Sequence, residues 1–246
     1  MKLTDYLGDK PFWRVTARLA LPVALQNVLT SSFQLVDTMM VSRLGDVTLS
    51  AVGMAAQWGW LCNLLNFGLC SGMSVFISQY WGVKDHKGIR RGVADARRFS
   101  VLVPLMGLIV GLAMIAARHP LVSLFAAGDN LSATTISTAY AVTIFCSLEY
   151  CFRNISYVQV VGVFRSGGDT LTGMLFDLGS LWCVSIPLTL LAARVLQLPF
   201  IGVVIFAYLG EDIPKSILCL LHFKRMRWIR PVTEEGRAGL RDYQGE

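Results

Sequence analysis

The chain has 246 residues, of which 54% are hydrophobic and 15% charged, and its mean hydropathy is +0.55. A soluble domain carries about 25% charged residues, so this composition argues against a water-soluble enzyme and for a bilayer protein. The formal net charge of +6 is spread over many helix ends rather than one face, which gives no ground for expecting a nucleic-acid partner.

Six apolar stretches follow in chain order, over residues 19–41, 51–81, 99–117, 136–164, 171–193 and 199–222. Each is near or above the roughly 20 residues that a helix needs to cross a hydrocarbon core. This predicts an all-α, polytopic membrane protein with a six-helix transmembrane domain over 1–229. A short polar tail over 230–246 is expected to be disordered or to lie on the inner membrane surface.

The connecting segments set the orientation. Basic residues cluster in the N-terminal segment (Lys2, Lys10, Arg14, Arg18) and in the loop after the second stretch (Lys84, Lys87, Arg90, Arg91, Arg97, Arg98). Arg165 and the C-terminal segment from Lys224 to Arg241 fall on the same side, and only Arg43, Arg118 and Arg194 fall on the other. Short Lys/Arg-rich loops stay cytoplasmic, so both termini are expected inside the inner membrane. No cleavable signal is expected, since the first ten residues are polar and mixed in charge.

The stretches are not uniformly apolar. The first carries Gln26, Asn27, Thr30, Gln34, Asp37 and Thr38; the second carries Gln57, Asn63 and Asn66, with Gly68 and Gly72 at a small-xxx-small spacing. Such residues serve either helix–helix contacts or a polar cavity. Phe33, Trp58, Trp60, Phe67 and Trp182 offer π-faces to an organic cation, or ordinary packing and interfacial anchoring.

Asp37, Glu149, Asp177, Glu211 and Asp212 lie within or at the rim of apolar segments. A charge at membrane depth costs about 2.5–3.5 kcal/mol even on gentle insertion scales, so each must be paired, protonated or in contact with water or ions. Glu211 and Asp212 precede Lys215 by four and three residues, and Glu149 precedes Arg153 by four, which predicts local ion pairs. Asp37, with few cations nearby in sequence, is the first functional candidate and Asp177 the second. The six cysteines read as small core residues, and His86, His119 and His222 are too scattered for a metal set, so no metal or cofactor is expected.

The run "LPVALQNVLTSSFQLVDTMMV" (21–41), continued by "SRLGDVTLSAVGMAAQWGWL" and "GMSVFISQYWGVKDHKGIRRG", resembles the first two helices of multidrug and toxic compound extrusion (MATE) transporters. The segments "VVGVFRSGGDTLTGMLFDLGSLWCVSIPLTLL" and "EDIPKSIL…FKRMRWIRPVT" resemble the last three helices of bacterial members. The resemblance implies export of amphiphilic organic cations, driven by inward sodium or protons. It matches Asp37 to the acidic residue of the family's first helix, implicated there in proton or sodium coupling, and Asp177 to a position in the eleventh, which makes these two the implied cation-coupling residues. Asn154 falls near an acidic position of the tenth helix, and Gln26, Asn27, Gln34, Gln57, Asn63, Asn66, Asn154 and Trp182 are the implied cavity residues.

MATE transporters have twelve helices in two lobes, whereas six are predicted here. The first three resemble the opening of one lobe and the last three the close of the other, with a join near Leu124–Tyr140. The implied arrangement is a hybrid bundle resembling one lobe, pairing with itself or with a second half-transporter for alternating access. The alternative is a truncated or hybrid remnant that does not transport. An enzyme is not expected, because no HExxH, GxSxG or P-loop pattern is present.

Overall fold

The computed structural model describes residues 9–42, 46–82, 86–126 and 133–230. Helices α1 (Lys10–Ser42), α2 (Asp46–Gly82) and α3 (His86–Ala116) are followed by a short α4 (Arg118–Ala126) that hydropathy alone does not predict. Next, α5 (Ala133–Tyr157) runs on through a π-helical segment, Val158–Phe164. A second composite rod joins α6 (Thr170–Ser180), a π-helical Leu181–Ser185, α7 (Ile186–Leu190) and a π-helical Leu191–Val195, before α8 (Phe200–Lys224). Among the described residues there is no strand.

Helix α3 differs from its apolar stretch in starting thirteen residues earlier, at His86 rather than at 99. Much of the basic loop is therefore helix. Val93 and Ala96 bury one side of this extension while Arg91, Arg97 and Arg98 stay exposed, an amphipathic pattern suited to a helix leaving the membrane. The cysteine expectation holds for Cys62, Cys70 and Cys219, which are buried. Cys183 is exposed instead, because it lies on the outward side of its rod.

The outer surface is apolar. Leu102, Leu105, Leu108, Ile109 and Leu112 of α3 are all exposed. Residues 91–116 and 170–195 are long and apolar enough to cross a bilayer, with mean hydropathies of 2.4 and 1.7 and only 17% and 22% of those windows buried. A core helix of a soluble protein of that hydropathy would be mostly covered; here lipid is the solvent for the exposed leucines.

The π-helical turn at Leu181–Ser185 has a local cause. Pro187 brings no N–H to the carbonyl four residues back, and the ladder ahead of it widens so that Ile186 N–H bonds Leu181 O. Ser185 Oγ then donates to Ala207 O of α8 at 2.7 Å, tying the widened turn to its neighbour.

Helix α5 is the hub, packing against α2, α3 and α8, while α1 rests mainly on α6. The apolar core gathers where α2, α3, the Val158–Phe164 segment and the chain after α8 meet, around Met73, Ile77, Phe164 and Trp228. Glycine sets two of these contacts. A Cβ on Gly107 would overlap the Asn154 side chain, and one on Gly167 would overlap Trp228. The turn after Phe164 closes as a Schellman motif: Asp169 N–H bonds Phe164 O at 2.8 Å and Gly168 N–H bonds Arg165 O at 3.2 Å. Gly168 takes the left-handed conformation this requires, with φ 84°.

Candidate functional site

Four carboxylates and two cations meet between α5, α6 and α8. On α5, Arg153 Nε lies 2.8 Å from Glu149 Oε1 and 4.0 Å from Asp212 Oδ2 of α8. On α8, Lys215 Nζ lies 2.9 Å from Glu211, 3.5 Å from Asp212 and 3.2 Å from Asp177 of α6. The local pairs expected from spacing are present, and the structure joins them into one network across three helices. Arg153 also stacks over Tyr208, 5.4 Å from the ring centre. Four negative against two positive side chains leave a formal balance of −2 when all are ionised.

The helix pattern explains how these groups converge. Glu149 and Arg153 are one turn apart on α5, as are Glu211 and Lys215 on α8, so each pair lies on one helix face. Because α5 and α8 pack together, those faces meet. Gly210 brings α8 close to the α6–α7 rod: a Cβ there would lie 3.0 Å from Leu188 Cδ1 and 3.4 Å from Ser185 Cα.

Helix α1 enters through one residue. Among its described side chains only Gln26 is buried, and its Nε2 donates to Asp177 Oδ2 in a short contact. Asp177 therefore has Gln26 on one side and Lys215 on the other. Asp37 lies within α1, but its side chain falls outside the described residues.

The remaining cavity candidates divide. Asn66 of α2 donates to Asn154 Oδ1 of α5; Asn154 Nδ2 donates to Tyr150 O at 2.6 Å, and Tyr150 Oη donates to Cys62 O at 2.8 Å. All of these side chains are buried, and together they pin α2 to α5. Asn27, Gln34, Gln57, Asn63 and Trp182 are instead exposed on the helices that carry them.

Sequence reasoning missed a further centre. Asp169, fully buried after the Schellman turn, accepts from Thr172 Oγ1 at 2.7 Å, His222 Nε2 at 2.8 Å and Arg230 Nη1 at 3.0 Å. Arg230 N–H also bonds Gly167 O at 2.7 Å. The turn thus clasps the chain emerging from α8. The available signal was a Gly-Gly-Asp-Thr run beside a Trp-Ile-Arg exit, which spacing alone does not connect.

The all-α bundle, its apolar exterior and its internal ionic network define a polytopic membrane protein of transporter fold. A model of the MatE family matches residues 22–191, and the chain belongs to that family. The probable multidrug resistance protein YoeA of Bacillus subtilis (strain 168) is 28% identical over 171 residues, which cover 69% of this chain and 35% of that protein. A solved MOP superfamily transporter from Pyrococcus furiosus superposes with a TM-score of 0.69 at 19% identity, over 96% of this chain and 51% of that one. The match thus takes in about half of the Pyrococcus chain and about a third of YoeA.

Proposed function

We propose that the chain is half of a cation-coupled antiporter that exports amphiphilic organic cations, using sodium or protons as coupling ion, and that it works as a dimer. In this reading α1, α2, α3, α5, the 170–195 rod and α8 cross the inner membrane with both termini cytoplasmic. Asp37 and Asp177 are the coupling residues. The tail over 230–246, expected to be disordered or to lie on the inner surface, falls outside the described residues apart from Arg230.

The observation that carries the reading is the ionic network, with its excess of two negative charges at membrane depth. A carboxylate in hydrocarbon is tolerated when it serves an ion or substrate path, and an anionic pocket is the complement of an organic cation. The case for a dimer rests on the exposed amides. Asn27, Gln34, Gln57 and Asn63 stand on the surface of helices that lie in the bilayer, where an unpartnered amide is costly. A facing half supplies polar partners and a second wall for the cavity. The open positions around Gly53, Gly68 and Gly72, where a Cβ would touch nothing, suit close helix approach.

The test is oligomeric mass in native-like lipid, with gradient-driven efflux of a fluorescent cation from the same vesicles. A dimer that exports dye is the expected result. A monomer without gradient-dependent efflux refutes the reading and leaves the alternative, a truncated or hybrid remnant that does not transport.

A further inference from the structure

We propose that the cavity between α3 and the end of α8 binds one anionic phospholipid whose headgroup carries a free hydroxyl, the chemistry of phosphatidylglycerol. The cavity has a volume of about 380 Å³, within the roughly 300–1,000 Å³ of small-molecule sites. Arg97 of α3 and Lys224 of α8 are exposed at its rim, while Ser100 and the buried Gln159 of the π-helical segment form its inner wall. Neither Arg97 nor Lys224 has a carboxylate partner among the described residues, whereas the adjacent Arg98 is engaged by Asp95 at 3.1 Å. A guanidinium and an ammonium on either side of one opening suit a phosphodiester.

Gln159 adds a second requirement. Its Nε2 donates to Ser100 Oγ at 3.1 Å, and Ser100 gives its own hydrogen to Ala96 O at 2.7 Å. Ser100 therefore accepts from Gln159, which fixes the orientation of the amide. Gln159 Oε1 is left buried with no donor, an arrangement that costs free energy until a donor reaches it. Closed off from bulk water, it takes that donor from a group seated in the cavity. A phosphodiester has none to give; a headgroup hydroxyl has.

The surroundings select a lipid over a free phosphate. Val101, Leu102 and Leu105 of α3 and Leu220 and Leu221 of α8 are exposed, so acyl chains find an apolar surface leading away from the two cations. Arg98 and Arg225 are exposed at the same end of the bundle, as befits the level of the headgroups. An ethanolamine headgroup also brings donors, but its ammonium meets Arg97 and Lys224 and is repelled. Phe223 stacks on Trp228 with ring centres 5.9 Å apart, which holds one wall in place. The bound lipid ties α3 and α8 to the rod of the hub helix.

The test is native mass spectrometry of the full chain in detergent, with melting temperature read on the same samples. The probes are phosphatidylglycerol, phosphatidylethanolamine, phosphatidylmethanol (the same phosphodiester without a hydroxyl) and soluble glycerol phosphate. One phosphatidylglycerol per chain should be retained, about tenfold tighter than phosphatidylethanolamine, and the melting temperature should rise with it. Arg97→Gln combined with Lys224→Gln should abolish that preference. Gln159→Leu should lower phosphatidylglycerol to the level of phosphatidylmethanol, and Arg98→Gln should bind as the wild type does. Equal retention of phosphatidylethanolamine, unchanged binding in the double charge variant, or displacement of the lipid by glycerol phosphate overturns the proposal. If Gln159→Leu does not accumulate, the wild type decides the same point: equal affinity for phosphatidylglycerol and phosphatidylmethanol overturns the hydroxyl contact, and a preference for the former upholds it.

Discussion

Lys215 of α8 sits 3.2 Å from Asp177 of α6 and 2.9 Å from Glu211 of its own helix, with its side chain only 8% exposed. One ammonium thus joins two helices, and through Asp177 it also meets Gln26, the anchor of α1. Removing it would take from Asp177, Glu211 and Asp212 the cation that stands within 3.5 Å of all three.

Lys215→Met is therefore expected to destabilise the bundle by about 3–5 kcal/mol, the cost of breaking a buried pair from one side. Thermal unfolding in detergent reads it. Adding Asp177→Asn should recover part of the loss, because the two residues are coupled and their effects are not additive. A single variant that melts with the wild type shows that the bridge contributes nothing.

Two glycines in membrane helices should respond to alanine with opposite sign. At Gly107 the new Cβ would overlap the Asn154 side chain, whose amide holds Asn66 and the Tyr150 carbonyl. Overpacking of this kind costs about 1–3 kcal/mol. At Gly179 nothing lies within 4 Å of the added Cβ, and alanine should gain up to about 1 kcal/mol of helix propensity. Melting temperatures of Gly107→Ala and Gly179→Ala should fall on either side of the wild type; the reverse order would refute the assigned packing.

Much of the fold is legible because length and apolarity alone mark a membrane helix, and four of the six rods lie close to the apolar stretches. The other two, α1 and α3, begin at Lys10 and His86, well before their apolar stretches, because their charged starts look like loop to a hydropathy scan. Helix α4 was missed because nine residues are too few for the same signal. Within the site, the spacing of Glu149 to Arg153 and of Glu211 to Lys215 announces two pairs. It cannot say that the pairs face each other, which depends on the rotation of α5 against α8. The contact of Gln26 with Asp177 spans 151 residues and has no local signature at all. Asp169 is a turn residue; that His222 and Arg230 converge on it comes from the path of the chain after α8.

The clasp at Asp169 gives a third prediction. Asp169→Ala removes the acceptor for His222, Arg230 and Thr172, and hydrogen bonds to charged groups are worth about 1.5–3 kcal/mol each. The segment that carries the buried Trp228 should loosen from the α5–α6 turn. Trypsin should then cut after Arg227 faster than in the wild type, and the Trp228 environment should become wetter by fluorescence. Unchanged cleavage would show that packing of Trp228 against Gly167 holds the exit without the carboxylate.

The coupling roles of Asp177 and Asp37 are separable by charge-neutralising variants. Asp177→Asn keeps an acceptor for Gln26 and a shape that fits between α1 and α6, but it removes the charge that meets Lys215. If Asp177 takes part in coupling, gradient-driven dye efflux should fall 5- to 150-fold, the effect of a coupling free energy of about 1–3 kcal/mol, while membrane accumulation is maintained. Asp37→Asn tests the residue that the family resemblance places in the first helix, and its signature is different. A carboxylate that binds the coupling ion sets the pH dependence of transport, so neutralising it should flatten the pH profile as well as slow the efflux. Efflux with the wild-type rate and pH profile in Asp37→Asn would remove that residue from the coupling path and leave the network on α5, α6 and α8 as the place where the gradient acts.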